Sequence, residues 1–226
     1  MKIGLFSLIE YSFLDQRPQV MARHLIKWGH EVVYFQPFVS MEYTDYCNHD
    51  FQKYINECFG FKHNPDGVTS VTMANIPAHN VIQNLSRNFN QRFRADNARV
   101  ILEQNFDLAI ICDPAWGELL HELQIPFIYD HLDDTHLMHD TVTDVWDEAQ
   151  KFSLVNSLAN LVIQPNEAKR VGGIYIPNGF SGLGDCASDD IRLPEFNIGC
   201  LSAIADWFDY QSIDRFEGSA LIIGPA

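Results

Sequence analysis

The chain has 226 residues, 46% of them apolar, and a formal net charge of −15. That is enough apolar material for one large α/β domain or one domain plus part of another. An excess of acid on this scale argues against a phosphate-backbone or anionic-membrane partner, because both need a clustered basic surface.

The opening run Lys2 to Leu8 is short and apolar, as a strand buried on both faces should be. It is too short, and too soon interrupted by Glu10, for a secretory leader, and no segment reaches the length of a membrane span. A helix is predicted from Pro18, with Val20, Met21, Leu25 and Trp28 on one stripe and Gly29 at its C-terminal cap. Glu31 to Pro37 is the second strand. Val39 to Pro65 is aromatic-rich and irregular, with a helix expected around Phe51 to Phe59. Val68 to Met73 makes a third strand, and Ile82, Leu85, Phe89 and Phe93 mark a long helix running to about Gln104.

Strands follow at Asp107 to Asp113 and at Pro126 to Asp130, separated by the helix "PAWGELLHEL". "WDEAQKFSLVNSL" is helical, "ANLVIQ" a strand, "PNEAKRV" a short helix, and "GIYIPNG" a closing strand and turn. Repeated strand–helix–strand units require crossovers that cover both faces of a parallel sheet. The expectation is a doubly wound α/β domain over residues 1–180, a linker over 181–194, and one β–α–β unit over 195–226. The five cysteines are widely spaced without a C-x-x-C pair, which suits reduced thiols and a cytoplasmic location.

In open parallel sheets ligands bind beyond the carboxyl ends of the strands. "YDHLDDTHLMHD" follows a buried strand directly, so Asp130, His131, Asp133 and Asp134 fall at that rim. Asp113 ends the neighbouring strand there, and Glu10 and Arg17 flank the loop after the first. Adjacent carboxylates at a cleft push their pKa values apart, which suits acid/base work; equally, they can orient loops and cap the next helix. His131, His136 and His139 lack the helical i, i+4 pairing of a zinc site, so no metal is expected, although an Asp/His-based metal-dependent hydrolase remains an alternative. Glycine-rich dinucleotide, P-loop and nucleophile-elbow motifs are all missing from the sequence. Arg87, Arg92, Arg94 and Arg99 along the long helix read either as a phosphate grip or, more simply, as a solvated face.

Taken together, "QRPQVMARHLIKWGHEVVYFQP", "IPFIYDHLDD", "ANLVIQPNEAKR…IYIPNG", "IGCLSAIADWFDYQSI" and "ALIIGPA" resemble, in the same order, segments of GT-B glycosyltransferases related to family 4 and to the teichuronic-acid-type transferases. The resemblance implies two Rossmann-like domains across a cleft, the first holding the acceptor and the second a nucleotide-sugar donor. Sugar transfer (hexosyl type, as in polysaccharide biosynthesis) would retain the anomeric configuration and use no metal or other cofactor. Carried over by position, Asp133 and Asp134 are the candidate catalytic residues. Arg17 and Asp130 would line the acceptor side with them, and Asn178 and Gly179 would sit at the interdomain turn; Glu10, Asp113 and His131 join the substrate-binding candidates by their place at the rim.

Two differences accompany the resemblance. The glycine-rich turn after the first strand is replaced by "SLIEYSFLDQ", and Ser202 stands where the second-domain turn usually has glycine. The family's main donor-binding residues would lie beyond Ala226, so the 226 residues are expected to need that part, a partner subunit or a second copy for transfer. The alternative within this frame is a non-catalytic acceptor-binding or scaffolding subunit.

Overall fold

The computed structural model describes residues 1–7, 9–13, 15–36, 58–73, 87–132, 144–177, 198–201 and 220–223, with side chains except at 87–93, 144–146, 198–201 and 220–223. The chain divides into two units, Met1–Phe180 and Ser181–Ala226.

At the centre of the first unit is β1 (Lys2–Phe6), paired in parallel with β2 (Glu31–Gln36) on one side and β5 (Leu108–Ile111) on the other. Its successive side chains enter two different cores. Leu5 packs with Ala22, Val32 and Tyr34 under α1 (Arg17–Lys27). Phe6 packs on the opposite face with Phe35, Ile111 and Trp116, and its ring stacks on Phe35 at 4.3 Å. Burial on both faces explains why β1 reads as an unbroken apolar run rather than an alternating one.

The sheet has eight strands in the order β3 (Phe61–His63), β4 (Thr69–Thr72), β2, β1, β5, β6 (Phe127–His131), β7 (Asn160–Val162), β8 (Ile174–Tyr175). Beyond β2 lies β4, and beyond β5 lie β6, β7 and β8, each parallel to the strand on its inner side. One strand, β3 (Phe61–His63), pairs antiparallel to β4 at the edge. It was not foreseen, because its three residues are exposed and carry no apolar alternation.

Four further helices complete the described part of this unit: α2 (Arg87–Gln104), α3 (Gly117–Glu122), α4 (Asp144–Asn156) and α5 (Pro165–Val171). Val100 and Ile101 of α2, Leu119 and Leu120 of α3 and Leu154 of α4 all join the Phe6 core. The segment expected as a single helix after β5 begins instead as a 3-10 turn, Pro114–Trp116, with Asp113 capping it. Gly29 follows α1 at φ +84, the left-handed conformation its capping position requires. Of the helix expected around residues 51–59, residues 51–57 lie outside the described residues, and Phe59 is not helical: its φ is +64 and its N–H donates to the Thr72 carbonyl at 2.8 Å.

In the second unit β9 (Ile198–Leu201) and β10 (Ala220–Ile223) pair in parallel. Parallel neighbours need a crossover between them; the helix expected there lies outside the described residues. No helix among the described residues is long and apolar enough to cross a membrane.

Candidate functional site

Strand order reverses between β1 and β5: the chain builds toward β4 on one side and toward β8 on the other. The carboxyl ends of β1, β5 and β6 therefore border the switch point at which α/β sheets bind ligands.

The loop after β1 is held without a glycine-rich turn. The Tyr34 hydroxyl, buried at the end of β2, lies 2.7 Å from Ser7 Oγ and 2.8 Å from the Ile9 carbonyl oxygen, while Ile9 N donates to Ser7 Oγ at 2.9 Å. One arrangement satisfies all three contacts: Ser7 donates to Tyr34, and Tyr34 donates to Ile9. Burial pushes the Tyr34 hydroxyl pKa up, so it remains a donor throughout the neutral range. The fully buried Gln19 ties down the other end of the loop. Its Nε2 donates to the Glu10 carbonyl at 3.0 Å, and its Oε1 accepts from Gln16 N at 3.3 Å. Glu10 itself presents an exposed side chain on this loop.

Arg17, the first residue of α1, reaches the carboxyl end of β6. Its Nε donates to Asp130 Oδ2 at 2.8 Å and its Nη2 to Oδ1 at 2.9 Å. Its Nη1 donates to the carbonyls of Ile176 and Pro177, each at 3.1 Å. Four of the five guanidinium N–H groups are thereby engaged, and the Asp130 side chain is 0% exposed. Burial pushes the Asp130 carboxyl above the ordinary carboxylate range, while the Arg17 guanidinium pulls it back. Cys112, buried at the end of β5, has its thiol pushed up by burial and further by Asp130 and Asp113, which makes it an unreactive thiol. Asp113 is 2% exposed and accepts from Ala115 N at 3.0 Å, so its carboxylate shapes the turn that leads into α3.

His131, expected in the loop, is instead the last residue of β6 and only 2% exposed. The reason is its partners on α4 and α5. Gln150 Nε2 lies 2.9 Å from His131 Nε2, and Glu167 Oε1 lies 3.7 Å from His131 Nδ1. The imidazole thus lies between the Gln150 side chain and the Glu167 carboxylate. Glu167 in turn accepts from Arg170, at 2.7 Å from its Nε. Successive residues of β6 thus serve opposite faces, Asp130 toward α1 and His131 toward α4 and α5.

The structure therefore brings Arg17 and Asp130 into contact and places Asp113 and His131 at adjacent strand ends. Asp133, Asp134, Asn178 and Gly179 lie outside the described residues. Of the helical arginines, Arg94 pairs with Glu122 at 2.8 Å and Glu118 at 3.6 Å, and Arg99 with Glu103 at 2.9 Å. Those two belong to surface ion pairs. No group of three or more His, Cys, Asp or Glu side chains able to hold a metal occurs among the described residues. Gln19, Tyr34, Gln150 and Glu167 were missed in the sequence. Gln19 alone left a signal there, three residues after the helix cap, where a capping side chain belongs.

No protein-family model matches the sequence, and no curated protein matches it. Solved structures do. Sucrose-phosphate synthase from Thermosynechococcus elongatus is similar over 78% of this chain and 47% of its own, with a TM-score of 0.51 and 10% identity. Phytolacca americana UGT2, complexed with UDP-2fluoro-glucose and pterostilbene, is similar over 100% of this chain and 71% of its own, with a TM-score of 0.51 and 12% identity. The chain spans about half the length of the synthase. At these identities the likeness concerns the fold: an α/β architecture with a predominantly parallel sheet, like that of the GT-B glycosyltransferases.

Proposed function

We propose that the protein is a glycosyltransferase-like protein whose first unit holds a glycan or other hydroxyl-bearing acceptor at the carboxyl edge of β1, β5 and β6. A nucleotide sugar serves as donor, and no metal takes part. The observation that carries this reading is the location of the polar groups. The Tyr34–Ser7–Ile9 and Arg17–Asp130 contacts both stand where strand order reverses, on a fold similar to that of a UGT2 complexed with UDP-2fluoro-glucose and pterostilbene.

In this proposal Asp133 or Asp134 contacts the acceptor hydroxyl, while Glu10, Asn178 and Gly179 border the substrate; Asp113 and His131, each 2% exposed, shape the rim from beneath instead of touching the substrate. Arg17 and Asp130 fix the rim rather than grip a phosphate, because the guanidinium is already occupied. The finer placement near family 4 and the teichuronic-acid-type transferases rests on the order of the sequence segments. A self-partner or second subunit belongs to the same proposal.

Calorimetric titration with UDP, GDP and their sugar derivatives, with and without divalent metal, tests the donor side. Saturable binding unaffected by chelator would mean that the 226 residues, or a second copy of them, complete a metal-free donor site. Binding that appears only with metal would overturn the metal-free reading, and no nucleotide-sugar binding at all would point to a subunit that needs a partner for the donor, leaving the acceptor side to carry the proposal.

A further inference from the structure

We infer that Arg17 is a positioning residue that sets the path of the chain where it leaves the first unit, by tying the carbonyls of Ile176 and Pro177 to the buried Asp130 carboxylate. The segment concerned is otherwise weakly held. β8 has two residues, and Ile174, Tyr175 and Ile176 are 56%, 48% and 39% exposed, so apolar burial does little to fix them. Backbone bonds from Gly173 N to Ala168 O and from Ile176 N to Val162 O secure the strand itself. Past Ile176 the ladder ends, since Pro177 has no N–H to donate. Among the described residues, Arg17 is what bonds to the carbonyls of Ile176 and Pro177, and the unit boundary follows Phe180.

The position of Arg17 supports the same assignment. A cation in the first turn of a helix opposes the helix dipole, and α1 has no acidic residue there to offset it. The buried carboxylate of Asp130 supplies the missing counter-charge. The planar fork then does what a point charge cannot: its Nε/Nη2 edge takes both oxygens of Asp130 while Nη1 faces the other way, toward two carbonyls. The joint therefore runs from the β6 rim through α1 to the exit of the unit. It depends on no particular substrate, so it stands or falls independently of the proposed function.

The test is amide hydrogen exchange on the full chain and on Arg17→Lys and Asp130→Asn. In Arg17→Lys the ammonium keeps the Asp130 carboxylate company but releases the carbonyls. The Ile176 amide is then expected to exchange about tenfold faster, the scale of one lost charge-assisted bond, while amides of β1 and α2 hold nearly their original rates. Asp130→Asn weakens the anchor itself and should raise exchange at Ile176 more than in β1. Exchange at Ile176 that stays at the wild-type rate in Arg17→Lys, or rises only in step with β1 and α2, would overturn the assignment. Should Asp130→Asn prove too unstable to purify, the contrast within Arg17→Lys decides alone.

Discussion

Arg17 and Asp130, 113 positions apart in the chain, meet edge to edge, with the guanidinium on both carboxylate oxygens at 2.8 and 2.9 Å. Their side chains are 12% and 0% exposed, so the pair lies largely out of water. Burial makes each charge costly by itself and makes the two together tolerable.

Removing one partner should therefore be worse than removing both. Arg17→Met strands a buried carboxylate and is expected to cost about 3–5 kcal/mol, whereas Arg17→Met/Asp130→Leu recovers much of that loss. Urea unfolding of the two variants beside the parent measures the difference. A double variant no more stable than Arg17→Met would mean that Asp130 is not held as a charged, buried partner.

The same pair sets a pH dependence. Burial raises the Asp130 pKa in the folded state, so the folded chain keeps this proton to higher pH than the unfolded chain does. Stability from this group is then fully present below the ordinary carboxylate range and falls as pH rises through the raised value. Arg17→Met removes the main opposing influence and moves Asp130 further up, so the falling limb should extend to higher pH. Asp130→Asn should lack it altogether. Chemical denaturation across the acidic range reads this directly, and superimposable profiles for all three proteins would contradict the account.

Gly117 begins α3 against α4. A Cβ there would meet Ser153 Oγ at 2.1 Å and Ser153 Cβ at 3.2 Å, and that hydroxyl donates to the Pro114 carbonyl at 2.9 Å. A helical glycine replaced by alanine ordinarily gains up to about 1 kcal/mol. Here Gly117→Ala should lose about 1–3 kcal/mol through overpacking, with partial recovery in Gly117→Ala/Ser153→Ala. A thermal melt showing that Gly117→Ala gains stability would refute the close helix approach.

Tyr34→Phe removes the hydroxyl shared by Ser7 and Ile9 while leaving the ring in the α1-side core. We expect a loss of about 1–2 kcal/mol, since a buried acceptor and donor lose their partner. If the β1–α1 loop borders the acceptor, acceptor affinity should fall with it. Unchanged loop amide shifts in Tyr34→Phe would show that the hydroxyl does not set the loop.

Much of the fold could be read from the chain because its strands are buried on both faces. Lys2–Phe6 and Glu31–Gln36 announce themselves as apolar runs, and Gly29 and Pro165 mark helix ends by chemistry local to them. The edge strand Phe61–His63 escaped because pairing, rather than burial, defines it. At the rim, strand geometry alone brought Asp113, Asp130 and Arg17 to one edge. The sequence could not reveal that Arg17 spends its fork on Asp130 and on two carbonyls far along the chain. Nor could it show that His131 turns inward to Gln150 and Glu167, since those contacts are made between elements distant in sequence.

The most direct measurement is an amide chemical-shift titration of the isotopically labelled chain with a panel of neutral and amino-sugar oligosaccharides. The account predicts saturable shifts gathered at the carboxyl edge, at Ser7, Ile9, Glu10, Tyr11, Cys112, Asp113, Ala115 and Leu132. Shifts gathered instead at the opposite edge, around Lys2, Asn105 and Ile125, or no saturable shift with any sugar, would contradict an acceptor site in the first unit.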